Sequence, residues 1–468
     1  MVAREREDLE DAVVQLHGDA FFPFDQLNGL ELPTGFVLAP EKVHDLSSVA
    51  SKGRFAVVTH SFDPAPLRVR PEEIFEAAGV AAVERRECIG QQFRACGHRC
   101  AREDSNLRPR APEARALSPE LRAPGEASVA CGPMEVSSRI VTLQLAETFV
   151  ISRSARDEER VVEVEVRCSG VHGYGEAAPI ERYDESPESA QAYVEEHAGL
   201  LGDDPFALEE IMVRLPEREF AARAALDAAL HDLQGKLVGR PVHQLLGLPR
   251  VGPPTSWTIW LGDPDDMATR TEKVRDRFER LKLKLGARDG RDVERVRAVR
   301  DAAGDIPLQV DVNEAWSLDE ALDALPQLAE LGVQYCEQPL PAGDDGGATL
   351  KQRSPIPIYV DEDCHTLRDV AGCAERAHGI NIKLAKSGGI REAVRMTHAA
   401  RALGLGCMLG CMVESGLGIA AGAHVASLFD HVDLDGNILI SHDPWPGVRF
   451  VDGVQLPADA PGLGVTRA

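Results

Sequence analysis

Short apolar runs in the second half of the chain end on ionisable residues whose types and spacing suit proton transfer beside a cation. Asp311 closes Leu-Gln-Val-Asp, Glu337 closes Gln-Tyr-Cys-Glu and Asp361 closes Ile-Tyr-Val-Asp. A single acid ending an apolar strand is most simply a solvated edge residue or a helix cap. Three in successive units would meet at one place, where like charges cannot all stay ionised without a counter-ion. Three hard oxygen donors suit Mg2+. In Leu281-Lys282-Leu283-Lys284-Leu285 strand alternation sends both lysines to one face, and Lys383 ends a further run, Asn381-Ile-Lys. Internal ion pairs are the plain reading of lysines among acids. Two amines on opposite sides of a metal site do more: one removes a proton next to a carboxylate, the metal stabilises the enediolate, and the other amine returns a proton to the opposite face. Neighbouring positive charge is expected to lower both lysine pKa values towards the range of a base. Lys386, just beyond, is expected to face a helix or solvent.

The elements that must position these residues follow from spacing. Lys284, Asp311, Glu337, Asp361 and Lys383 lie 27, 26, 24 and 22 positions apart, the length of one strand–helix unit with short loops. Strands are expected at Trp257–Leu261, Leu281–Leu285, Leu308–Asp311, Val333–Glu337, Ile356–Asp361, Gly379–Lys383 and Gly404–Gly410. Ionisable residues at five strand ends converge only if the sheet closes, which favours a parallel (β/α) barrel over an open doubly wound sheet. Before it, Ile140–Leu145 and Arg160–Val166 alternate as half-buried antiparallel strands, and Gly173-Tyr-Gly-Glu-Ala-Ala begins a third. Ser186–Leu200 opens with Ser-Pro-Glu, a helix start, and Glu217–Leu237 is alanine-rich. This describes a small α+β domain.

Composition narrows the class. The 468 residues are 44% hydrophobic and 27% charged, values of an ordinary globular protein. With 51 basic against 76 acidic residues the formal charge is −25, which repels phosphate backbones and argues against a nucleic-acid partner. The longest nearly apolar run, Leu403–Val413, is too short to cross a bilayer, and the charged start lacks a signal-peptide core. The ten cysteines show no disulfide framework and are expected as reduced thiols of a cytoplasmic protein. Residues 1–133 differ in texture: nine arginines and no lysine lie between Arg85 and Arg122. Cys88 and Cys96-Gly-His-Arg-Cys100 lack a second ligand pair at zinc-finger spacing. Residues 102–109 resemble translated transfer-RNA gene sequence, so 1–133 is expected to be an extension of uncertain status, partly a gene-model artefact, with Met134 the true start. An apolar run such as Gly53–Val58 leaves room for a small folded remnant.

Lys282-Leu-Lys284, Asp311-Val-Asn-Glu-Ala-Trp316, Glu337-Gln-Pro-Leu-Pro341, Asp361-Glu-Asp-Cys-His-Thr366 and Asn381-Ile-Lys383-Leu-Ala-Lys-Ser-Gly-Gly389 together resemble the enolase superfamily and its muconate-lactonizing-enzyme-like subgroup. The resemblance runs from residue 134 to about 455. It implies a capping domain (134–252), a modified (β/α)7β TIM-type barrel (253–440) and a C-terminal segment (441–468) returning to the cap. It also implies that Asp311, Glu337 and Asp361 ligate one Mg2+ per subunit, that Lys284 and Lys383 are the acid/base pair, and that Lys282 holds the substrate carboxylate. Val432-Asp433-Leu-Asp435-Gly436, read alone, is a turn with two solvated acids. At the expected eighth strand it resembles the Asp-x-Asp signature of dipeptide epimerases, where two acids grip the substrate's ammonium group.

Thr148–Ser154 and Arg182–Ser186 resemble the loops that cover such a dipeptide, with Arg153 facing a side-chain carboxylate as in L-Ala-D/L-Glu epimerases. Thr258 sits where the family places a hydroxyl. Trp257 and Trp260 depart from the family pattern, and one of them is expected to narrow the pocket; Glu414 is either structural or selects a cation. The expected activity is Mg2+-dependent epimerisation of the C-terminal residue of a dipeptide, Ala-Glu from cell-wall turnover, by a homo-oligomer. The rivals are an N-acylamino-acid racemase, an o-succinylbenzoate synthase or a muconate cycloisomerase, which would leave Asp433 and Asp435 without a partner, and a non-catalytic barrel that only binds.

Overall fold

The computed structural model describes residues 132–468 and two short strands, β1 (Val13–Leu16) and β2 (Ala20–Pro23), which pair as an antiparallel hairpin. The expectations for Cys88, Cys96, Cys100, Gly53–Val58 and residues 102–109 lie outside the described residues.

From Glu135 the chain builds the expected antiparallel sheet of β3 (Glu135–Ile151), β4 (Ser154–Cys168) and β5 (Val171–Ala177). The first two strands run well past their alternating segments. Their extension, after a register shift between Gln144 and Phe149, carries the turn at Ser152–Arg153 to the barrel, where Ser152 Oγ donates to the Asn313 carbonyl (3.2 Å). Val162, Val164 and Val166 on β4 are fully buried on one sheet face. The helix Phe220–Val238 covers that face with Ala221, Ala225, Leu226, Ala229 and Leu233. Its alanines allow a very close approach. A Cβ at Gly175 would collide with the Ala225 carbonyl oxygen, so only glycine fits there. The helix Pro187–His197 starts at the Ser186 cap, whose hydroxyl accepts from Ser189 N–H (3.1 Å).

Eight parallel strands follow in sequential order: β6 (Trp257–Ile259), β7 (Leu281–Lys284), β8 (Leu308–Asp311), β9 (Val333–Glu337), β10 (Ile358–Val360), β11 (Gly379–Lys383), β12 (Gly406–Gly410) and β13 (His431–Asp433). A bridge between Thr255 and Val432, with Ser256 N–H donating to the Val432 carbonyl (3.0 Å), joins the last strand to the first. At least one helix follows each strand from β6 to β12, and among the described residues none follows β13, which is the (β/α)7β pattern. Leu281, Leu283, Leu308 and Val310 point outward into one apolar cluster, and Ile380, Ile382, Cys407 and Leu409 into another. Alternation therefore turns the intervening polar residues to the interior. Tyr335, Tyr359 and Met408 pack together below them, the two rings 4.8 Å apart, as a floor.

The C-terminal segment runs back to the sheet-and-helix region. Gly462 exchanges backbone bonds with Arg240 and Val242 (2.9 and 3.0 Å), and Leu463 N–H donates to Asp232 (2.7 Å). Asp227, on the same helix as Asp232, accepts from Ile390 N–H (2.6 Å) at the start of the helix Ile390–Ala402. One antiparallel hairpin, β14 (Arg449–Val451) with β15 (Val454–Leu456), lies in this segment.

Cys336, Cys364, Cys373, Cys407 and Cys411 are free thiols, but Cys168 is disulfide-bonded, so the expectation of ten reduced cysteines fails there. Spacing along the chain carries no sign of which distant thiols a fold brings together. No helix among the described residues is long and apolar enough to cross a membrane.

Gly175→Ala is expected to destabilise the protein by about 1–3 kcal/mol through the clash with helix backbone. Gly199→Ala, in open space, should leave the unfolding midpoint nearly unchanged. Paired urea or thermal unfolding curves would check this.

Candidate active site at the barrel mouth

Every inward charge at the strand ends is answered by an opposite one. Lys282 is almost fully buried on β7, with its Nζ 2.8 Å from Asp433, 2.8 Å from Glu337 and 3.1 Å from Asp311. Burial works against this ammonium, but Asp433, Glu337 and Asp311 outweigh it and hold its pKa well above the usual lysine value. Two residues on, Lys284 Nζ lies 2.6 Å from Asp311. Lys383, ending β11, lies 2.9 Å from Asp361. β7 and β11 are four strands apart in a closed set of eight, so Lys284 and Lys383 face each other across the mouth.

Lys386 corrects its expectation. It is buried and donates to the Asp361 carboxylate (2.6 Å), the Asp361 carbonyl (2.6 Å) and the Asn381 carbonyl (2.9 Å). The one-turn helix Leu384–Ser387 directly after β11 folds it back under the mouth.

Asp311 and Glu337 are register partners on β8 and β9, and Asp361 follows directly after β10. Burial opposes ionisation of all three. For Asp311 the two lysines of β7 reverse it, and for Asp361 Lys383 and Lys386 do, so both carboxyls are held well below the usual range. Glu337 is pushed up by burial and by Asp311, with Lys282 offsetting only part. Asn381 Nδ2 donates to Glu337 (2.8 Å), Asn313 N–H to Asp311 (3.0 Å), and the Gln338 side chain accepts from Asp361 N–H (2.8 Å). As the side chains stand, lysines face the acids, and among the described residues no group of three His, Cys, Asp or Glu is arranged around an ion. The donor set still fits a hard cation: the three carboxylates are buried, and the single ammonium of Lys282 touches both Asp311 and Glu337. These two acids therefore share one cationic partner.

Eight of the ten sequence-predicted residues line a cavity of about 400 Å3, namely Lys282, Lys284, Lys383, Asp361, Asp433, Asp435, Thr258 and Arg153, while Asp311 and Glu337 lie outside its lining. Asp433 accepts from Ser256 Oγ (2.6 Å) and pairs with Lys282, so it is no solvated turn residue. Asp435 accepts from Thr258 N–H (2.8 Å), and burial together with Asp433 pushes its carboxyl up to about 7. Thr258 is thus placed at the site through its backbone. Arg153 reaches Glu362 (2.9 Å) and Glu314 (3.6 Å) from the β3–β4 turn.

The expected lowering of the lysine pKa values is not found at Lys383. Burial works in that direction, but Asp361 and Glu337 outweigh it and hold the ammonium well above its ordinary value. Nor do the tryptophans narrow the pocket. Trp257 points outward on β6 and stacks on Phe278 (4.8 Å), while Arg270 lies over Trp260 outside the cavity lining. Ser256, Asn381, Glu314 and Lys386 were given no site role from sequence. Alternation marks Asn381, two residues before Lys383, as inward, but nothing local marks Glu314.

Glu414 resolves as structural. It accepts from Met412 N–H (2.9 Å) and lies beside Glu176 of β5, which bonds the Ser415 N–H (2.8 Å) and hydroxyl. Burial and the neighbouring Glu414 push Glu176 up to about 8, and burial pushes Glu414 up to about 7.

The chain matches two adjoining family domains, the mandelate racemase / muconate lactonizing enzyme N-terminal domain over residues 134–247 and the enolase C-terminal domain-like family over 266–467. It belongs to the mandelate racemase / muconate lactonizing enzyme family of the enolase superfamily. An L-Ala-D/L-Glu epimerase from Bacteroides thetaiotaomicron is 38% identical over 342 residues, covering 72% of this chain and 88% of that protein. A hydrophobic dipeptide epimerase from Flavobacteria bacterium MS024-2A is 36% identical, covering 71% and 97%. The crystal structure of an Enterococcus faecalis dipeptide epimerase with Mg and L-Leu-L-Tyr superposes with a TM-score of 0.68 at 30% identity, covering 72% of this chain and all of that one. The family domains begin at Met134 and cover the sheet-and-helix region, the barrel from β7 onward and the returning tail.

Unfolded Glu176 releases its proton near 4.5 and the folded residue only near 8. Between those values the native state holds the extra proton, so this group makes stability fall as pH rises across the window. Glu176→Gln should flatten that slope, measured as unfolding midpoints from pH 5 to 8.5.

Proposed function

We propose that this protein is a dipeptide epimerase that inverts the α-carbon of the C-terminal residue, acting on Ala-Glu dipeptides of the kind released in cell-wall turnover. The observation that carries the reading is the placement of Lys284 and Lys383 on the second and sixth barrel strands, on opposite sides of one cavity. Amines on both faces of a substrate carbon allow a proton to leave on one side and return on the other. Lys383, its pKa held up by Asp361 and Glu337, rests as the ammonium and is set to donate from its side. Lys284, against Asp311, handles the opposite face. Lys282 directs fixed positive charge at the substrate carboxylate. Asp433 and Asp435 are the acceptors for the N-terminal ammonium, with Asp435 oriented by Thr258 N–H. Arg153 faces the side chain of the epimerised residue, where a γ-carboxylate would displace Glu362.

Asp311, Glu337 and Asp361 would hold Mg2+. When bound, it supplies polarisation of the substrate carboxylate and a positive field that draws the lysine pKa values down.

Incubation of L-Ala-L-Glu with enzyme and Mg2+ in D2O, followed by NMR, should show deuterium entering the glutamate α-position with appearance of L-Ala-D-Glu. Unchanged spectra across acidic and apolar dipeptides would refute the reading. Lys284→Ala and Lys383→Ala should each lower epimerisation by about 10^2–10^4-fold. Each should also retain α-proton exchange with only one diastereomer, the two variants with opposite ones. Asp433→Asn combined with Asp435→Asn should abolish turnover of dipeptides that carry a free ammonium. If the double variant still epimerises them at the parent rate, these acids are not the ammonium site.

A further inference from the structure

We infer that Glu314 is a positioning residue that sets selectivity for an acidic substrate side chain, by anchoring the two arginines that the covering loops bring to the mouth. The inference rests on the epimerase reading for the identity of the substrate. Glu314 lies three residues beyond Asp311 in the loop after β8. Its φ is 69° and that of Asn313 is 47°, a left-handed pair that side-chain-bearing residues rarely adopt. Glu314 N–H donates to the Gln338 carbonyl (2.9 Å) and Trp316 N–H to the Pro339 carbonyl (3.0 Å), so the loop is pinned within and just after the strained pair. Held this way, the Glu314 carboxylate accepts from Arg182 Nε and Nη2 (3.0 and 2.8 Å) and from Ala342 N–H (2.9 Å). Arg153 stands 3.6 Å away, beyond hydrogen-bond distance.

The two arginines come from different loops. Arg153 is in the β3–β4 turn and Arg182 in the short turn Glu181–Tyr183, and both line the cavity. One carboxylate from the barrel thus ties down both covering loops, tightly at Arg182 and loosely at Arg153. The asymmetry has a chemical use. A bidentate guanidinium–carboxylate pair is directional and resists exchange. A looser pair yields to a carboxylate that arrives with the substrate. Glu314 therefore keeps Arg182 occupied and leaves Arg153, whose direct partner is Glu362 at 2.9 Å, as the guanidinium that a γ-carboxylate reaches by displacing Glu362. A neutral side chain at 314 would release Arg182 and free both loops.

The test is Glu314→Gln, assayed with L-Ala-L-Glu and L-Ala-L-Leu, alongside amide hydrogen exchange over residues 149–154 and 180–185. KM for L-Ala-L-Glu should rise about tenfold with kcat within about twofold, and KM for L-Ala-L-Leu should change less than about threefold. Exchange in both segments should quicken. Glu314→Asp, which keeps the charge, should fall between parent and Gln variant. If Glu314→Gln does not fold, Arg182→Gln breaks the same pair from an exposed side chain and must quicken exchange over residues 180–185 and raise KM for L-Ala-L-Glu more than for L-Ala-L-Leu. Unchanged exchange in both segments, or kinetic constants for the two dipeptides moving together, would overturn the inference. A parent enzyme inactive on every dipeptide would refute the epimerase reading instead, and the exchange data would still decide whether Glu314 holds the loops.

Discussion

Burying carboxylates where water cannot reach them forces the rest of the mouth to supply positive charge. Asp311, Glu337, Asp361 and Asp433 are nearly or wholly buried, and Lys282, Lys284, Lys383 and Lys386 meet them one contact away. Neither set would be tolerable alone, since an isolated buried charge carries a cost that only pairing offsets. Ammonium groups and a divalent cation are alternative partners for the same oxygens. Such a site is balanced by its own lysines.

The barrel is what makes the balance geometrically possible. Alternation along β7 puts leucines into the outer core and both lysines inside, and the same rule on β8, β9 and β11 delivers Asp311, Glu337 and Lys383 to one end. Below them the Tyr335–Tyr359–Met408 floor fills the interior, so the charges sit over packed side chains and not over a water-filled bore. Closure through Thr255 and Val432 then sets Asp433 beside Lys282.

How far the sequence reached depended on the range of the forces involved. Strand ends, the alternating lysines and the closed sheet were legible because period-two patterning and unit spacing are local signals. Lys386 was misjudged because its direction depends on a one-turn helix that breaks alternation directly after Lys383. The expectation that Trp257 or Trp260 narrows the pocket failed: alternation turns Trp257 away from the inward Thr258, and Trp260 lies past the end of β6, covered by Arg270. The roles of Glu314 and Glu176 rest on partners more than 100 positions away in the chain, Arg182 and Ser415, and no local window contains both members of either pair. The disulfide at Cys168 was not legible because the ten cysteines show no regular spacing that marks a pair.

The lysines proposed to move protons stand on barrel strands, whereas the guanidinium groups proposed to meet a substrate side chain arrive on turns of a separate sheet-and-helix region, joined to the barrel through Asp227 and to the C-terminal segment through Asp232, Arg240 and Val242. Mutational drift in those turns can therefore retune which molecules are accepted while the reaction itself is inherited intact. A lineage built on this plan can diversify its diet without reinventing its chemistry.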